Sequence, residues 1–255
     1  MVANFVEICY NNIKQKRSKN MSTVKTVDDA LINVSDLLKQ NIIETYKEKS
    51  DDIKSCSAEL QKLNEIYECI NSSDTLSVLE EAQNDLLNSV LFACQGFYRN
   101  AHICLRSALE LTLSFVYYYD HYYDFVLWKA DCLDMTWSKL TSTECGVFNS
   151  KFYGILLNDS VKNLDFEMLI SETQKIYHLS SQSVHGKYEY MQTKLSHDNK
   201  YNKDTFNVYY ELFKSVINLV KSILYIRFYK EIHTNLDKDD IRNLNIIIKK
   251  YEVLR

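Results

Sequence analysis

Arg99, His102, Arg106, Glu110, Ser114, Tyr117 and His121 follow one another at steps of three or four residues, the spacing that places side chains on one face of an α-helix. Around them Leu105, Ala108, Leu109, Leu111, Leu113, Phe115 and Val116 fill the other faces. A helix that is apolar nearly all round is a buried one. Charges on such a helix are costly unless paired, so this stripe is expected to serve a site or a partner. Guanidinium, carboxylate and imidazole groups on one face are suited to holding an anion and to moving protons near neutral pH. Another histidine, His185, stands in the segment LSSQSVHG (Leu179 to Gly186), near the end of a second expected helix.

Plainer roles exist for each of these residues. Arg106 and Glu110 can form an i,i+4 helical ion pair, worth about 0.3 kcal/mol when exposed and less in this Arg-first order, or a buried network joining two helices. His185, just before Gly186, fits the C-terminal end of a helix, where it would satisfy the last carbonyls. His102 and His121 read as structural, and the tyrosines from Tyr117 to Tyr123 as packing. Arg227 and His233, separated by five residues, lie about 120° apart on a helix and do not share a face. No HxxxH or HxxE pair has a further ligand near it, so neither a metal nor another cofactor is expected. No glycine-rich phosphate loop occurs.

The elements that must carry these residues follow from composition. The chain has 255 residues with four Gly and no Pro, too few turn residues for a β-sandwich, a barrel or a doubly wound sheet. An all-α helical bundle with a long N-terminal helical arm or hairpin is expected: residues 1–72 as the arm and 73–255 as the bundle. A short amphipathic helix is expected over 2–17. A narrow apolar stripe from Leu31 to Ile70 predicts one long helix, or two meeting near Lys49–Asp52. Asn71–Asp74 breaks it, and Ser77 with Glu80 resembles a capping box. A helix over about 76–94 comes next, with Gly96 bending or ending it, and the stripe helix is expected to run on to Trp128. Further helices are expected over about 163–185 and 204–233, with a last charged one after Asp237.

The net charge of −4 argues against a generally basic, nucleic-acid-coating surface. Seven scattered cysteines without a CxxC pair fit reduced, mostly buried thiols. No signal peptide and no membrane span are read from the chain, so a cytoplasmic location is expected.

The block G-F-Y-R-N-A-H-I-C-L-R-S-A-L-E from Gly96 to Glu110, the aromatic run to Trp128 and the later L-S-S-Q-S-V-H-G together resemble HEPN-like proteins. These are helical domains found in bacterial RNase toxins and antiviral defence components. The resemblance covers roughly residues 76–235. It implies a bundle that dimerises and, in active members, a metal-independent endoribonuclease. There a histidine moves protons and an arginine four to six residues before it holds the phosphate. Here no arginine stands four to six residues before His185. The catalytic set implied is therefore His185 with Arg106 from the stripe, oriented by Glu110, and with Arg99, His102 and Tyr117 binding RNA. The alternative is a non-catalytic helical adaptor or sensor, with a second copy or a neighbour-encoded protein as partner. The missing arginine and the apolar arm favour that alternative.

Overall fold

The computed structural model describes residues 27–70, 74–157, 164–196 and 199–252. The helix expected over 2–17 lies outside them. The described residues form eleven α-helices and short 3-10 segments, with no strand, only the isolated bridge Leu164–Glu252. The all-α expectation holds. No described helix is long and apolar enough to cross a membrane.

Helix α1 (Val27–Cys69) is interrupted only at Lys49, whose backbone leaves the helical region at φ −129°, ψ 23°. This is the junction expected between two helices. Beyond it Cys56, Leu63, Ile66, Tyr67 and Ile70 join the main hydrophobic core. Before it no residue from Val27 to Gln40 is buried, and Leu31 is 58% and Ile43 54% exposed. Within the described residues the arm therefore has two halves with different surroundings.

Helix α2 (Leu76–Cys94) and helix α3 (Tyr98–Asp120) form a hairpin. Gly96 at φ +83° ends α2, with Gly96 N–H on Ala93 O and Phe97 N–H on Phe92 O. This is a Schellman cap, completed by the edge-on contact of Phe92 with Phe97 at 6.5 Å. A Cβ at position 96 would stand 2.7 Å from Asn199 O, so only glycine fits. The capping box is absent: Ser77 lies inside α2 and its hydroxyl donates to Asp74 O.

The stripe helix stops earlier than expected. At His121 the backbone turns to φ −127°, ψ 64°, and a separate α4 (Tyr122–Lys129) follows. The imidazole of His121 lies flat on the Tyr117 ring, centroids 4.1 Å apart, and the Tyr117 hydroxyl reaches forward to Asp124 at 2.7 Å. Both contacts bridge the break between α3 and α4. Short helices α5 (Trp137–Leu140) and α6 (Ser150–Leu156) lead to α7 (Phe166–Val184) and α8 (Gln192–Leu195). Caps from Thr136, Asn149 and Asp165 start α5, α6 and α7.

Helix α9 (Lys203–Arg227) is capped by Asn202 and ends at Phe228, so the helix expected to reach His233 divides into α9 and α10 (Tyr229–Asn235). Helix α11 (Lys238–Ile248) follows. The buried runs 112–118 of α3 and 219–227 of α9 lie at the centre, with α2, α7 and the second half of α1 packed around them. Full burial of a Leu or Ile side chain stabilises by roughly 1.5–3 kcal/mol, and these two helices carry the densest supply. Of the six described cysteines Cys56, Cys69 and Cys94 are buried, Cys104 is half-buried, and Cys132 and Cys145 are exposed. The expectation of mostly buried thiols holds for half of them.

Candidate functional site

Helices α3 and α7 pack antiparallel, and the stripe runs along their seam. Near the start of α3, Arg99 Nε donates to Ser183 O at 3.0 Å. Its backbone N–H donates to Gln192 Oε1, and Gln192 Nε2 donates to Gly96 O. One turn on, His102 Nδ1 meets Ser183 Oγ at 3.0 Å. The ring is 1% exposed, and burial pushes its pKa down to about 4. Its Nε2 has no hydrogen-bond partner among the described residues. His102 is a neutral core imidazole.

Arg106 meets α7 further along. Its guanidinium donates to the Tyr177 hydroxyl at 2.8 Å and to Glu110 Oε1 at 3.1 Å, and Tyr177 in turn donates to Glu110 at 3.0 Å. Trp137 stacks on the Tyr177 ring with centroids 3.5 Å apart. Burial first, and the Glu110 carboxylate second, push the Tyr177 phenol up. With the Arg106 side chain only 18% exposed, this closed triangle joins α3 to α7.

At the far end of the stripe, Asp124 accepts from Tyr117 and from Lys139, the latter at 2.9 Å. Those two hydrogen bonds hold the Asp124 carboxyl below the usual carboxylate range, and the bond to Asp124 raises Lys139. Tyr117 thus links α3 to α4 and α5.

His185 is the C-cap residue of α7 and is exposed. Gly186 at φ +61° completes a second Schellman cap, with Gly186 N–H on Ser183 O and Lys187 N–H on Gln182 O. The position at a helix end is as expected, but Arg99, not the imidazole, reaches the terminal carbonyls. A Cβ built on Gly186 would lie 3.8 Å from Arg99 Nη2, which puts that guanidinium beside the His185–Gly186 turn. Tyr177, the contact of Arg106, lies eight residues and about 12 Å of helix before His185.

The structure therefore brings Arg99 and His102 to the end of α7. It sets Arg106 with Glu110 two turns away, and Tyr117 further still. Tyr177, Trp137, Ser183 and Gln192 complete these contacts and were not singled out in the sequence; only tertiary packing brings them to the stripe. Arg227 forms a fork on Asp120, and His233 meets the Tyr225 hydroxyl, so these two residues serve separate contacts. No group of three or more His, Cys, Asp or Glu that could hold a metal lies together among the described residues. No protein-family model, curated protein or solved structure matches the chain.

Proposed function

We propose that this chain is a HEPN-like helical module that works by holding a protein partner, and that the partner is a second copy of itself. The observation that carries this reading is the first half of α1. Val27, Leu31, Val34 and Leu38 continue, at steps of four, three and four, the row that reaches Asn41 and Thr45. Asn41 and Thr45 are buried against the chain's own Gln95, Asn199 and Cys94 carbonyls, whereas Val27, Leu31 and Val34 are exposed. The exposed part spans fourteen residues, about 21 Å of helix. A seam with a/d spacing is complementary to another such seam, so two copies related by a two-fold axis cover each other's apolar rows.

The stripe supports the same reading, because Arg106, Glu110, His102 and Tyr117 each commit a polar group to a neighbouring helix. Sedimentation velocity of the full chain over a wide concentration range tests it. A dimer is expected, and Leu31→Asp combined with Val34→Asp is expected to give a monomer with unchanged helical circular dichroism. A wild-type chain that stays monomeric throughout sinks the proposal.

RNA cleavage is the second reading, favoured by one observation: the exposed His185 stands next to the turn that Arg99 approaches. Arg99, rather than Arg106, would then hold the phosphate while the imidazole moves the proton. Incubation with total RNA in the presence of a chelator, comparing wild type with His185→Ala, decides it. Cleavage lost in the variant supports the reading; no difference between the two proteins removes it.

A further inference from the structure

A cleft of about 250 Å³ opens between the second half of α1, α9 and α11. Each helix lines it with two polar side chains three residues apart: Glu59 and Lys62 from α1, Asn218 and Lys221 from α9, Asp240 and Asn243 from α11. Three residues is nearly one helical turn, so each pair lies on one face. The Lys221 side chain is only 4% exposed and forms an ion pair with Glu59. Burying such a pair gives little net stability compared with apolar side chains of the same size.

The remaining polar groups are uncommitted. The side chains of Lys62, Asn218, Asp240 and Asn243 have no hydrogen-bond or ion-pair partner among the described residues. Beside them Leu236, Ile246 and Ile247 offer an aliphatic wall. A simple anion entering this cleft would meet Glu59 and Asp240; a simple cation would meet Lys62 and Lys221. A dipolar molecule satisfies both signs at once, and an aliphatic portion would cover Leu236 and Ile247. The volume lies just below the range of drug-sized pockets, at the scale of a small metabolite.

We infer that this cleft binds a small aliphatic zwitterion of the free amino-acid class, its carboxylate facing Lys62 and its ammonium facing Asp240. The inference is independent of self-association through α1 and of any chemistry at His185.

The test is a thermal melt of the full chain with each of the twenty standard amino acids in turn. Isovalerate and isoamylamine serve as probes carrying only one of the two charges. At least one aliphatic amino acid is expected to raise Tm by about 2 °C or more at saturation, with neither single-charge probe doing so. Lys62→Ala and Asp240→Ala alter partly exposed residues, so their unliganded melting is expected to match wild type while the shift is lost. No shift from any amino acid overturns the inference. So does an equal shift from isovalerate, which would mark an anion site, or a shift that survives both substitutions.

Discussion

Arg99 reaches from the first turn of α3 to the last turn of α7 and donates from Nε to the carbonyl oxygen of Ser183. That carbonyl already accepts the Gly186 N–H of the Schellman cap, so the guanidinium sits where the partial negative charge of the α7 terminus gathers. Charge-assisted hydrogen bonds contribute about 1.5–3 kcal/mol. Arg99→Ala is therefore expected to lower unfolding stability by about 2 kcal/mol, measured by urea denaturation. Arg99→Lys should recover part of the loss, because it keeps the charge without the planar fork. A neutral effect of Arg99→Ala would mean that the α7 end holds without this contact.

The helical class was legible in the sequence because it rests on local facts: few glycines, no proline and apolar residues at helical spacing. The breaks at His121 and Phe228 were not, because periodicity continues across both; ring stacking of His121 on Tyr117 is a geometric event with no compositional mark. The stripe was legible as a row of polar residues facing inward. Its partners were not. Tyr177 lies 71 residues from Arg106 and Ser183 lies 81 from His102. Trp137 falls between the helix expected to end at Trp128 and the one expected from about 163, where no element is expected. The Glu59–Lys221 pair, 162 residues apart, had no signal at all, since each member looks like an ordinary helix-surface charge.

His102 gives the fold a dependence on pH. Its pKa is pushed from 6.5 down to about 4 by burial, so between those values the unfolded chain binds a proton that the folded chain refuses. Stability is then present in full above about pH 6.5 and is lost as pH falls toward 4. The loss from this residue alone is about 3 kcal/mol at most. Urea midpoints measured from pH 7 to pH 4 should fall steeply for wild type and more gently for His102→Gln. Parallel curves for the two proteins would assign the acid sensitivity to other groups.

The triangle of Arg106, Glu110 and Tyr177 should behave as one unit. Arg106→Ala leaves Glu110 without its cation and the Tyr177 hydroxyl without its donor, at an expected cost of about 1–3 kcal/mol. Arg106→Met combined with Glu110→Leu removes both charges and keeps the volume, and is expected to cost less than Arg106→Ala alone. A double-mutant cycle on Arg106 and Tyr177 should give a coupling of about 0.5–3 kcal/mol. Additive losses would show that the two side chains touch without cooperating.

Gly96 and Asp131 occupy the same place in two different helix ends, and substitution there should have opposite signs. Both follow a C-cap residue with positive φ, +83° at Gly96 and +57° at Asp131. At Asp131 the cap is again of the Schellman kind, with Asp131 N–H on Trp128 O and Cys132 N–H on Leu127 O. A left-handed conformation costs an L-residue about 1–2 kcal/mol, somewhat less for Asp. Glycine removes that strain but returns part of the gain as extra freedom in the unfolded chain. Asp131→Gly, on an exposed turn, is thus expected to stabilise by about 0.5 kcal/mol. Gly96→Ala adds the same strain in reverse and also drives a methyl to 2.7 Å from Asn199 O and 3.1 Å from the Asn41 amide. The Asn41 amide donates to Asn199 O and to Gln95 O, tying α1 to the segment before α9 and to the α2–α3 turn, so the loss should exceed about 2 kcal/mol. Thermal melts of the two variants beside wild type decide the matter: a destabilising Asp131→Gly would falsify the account of this cap as a strained one.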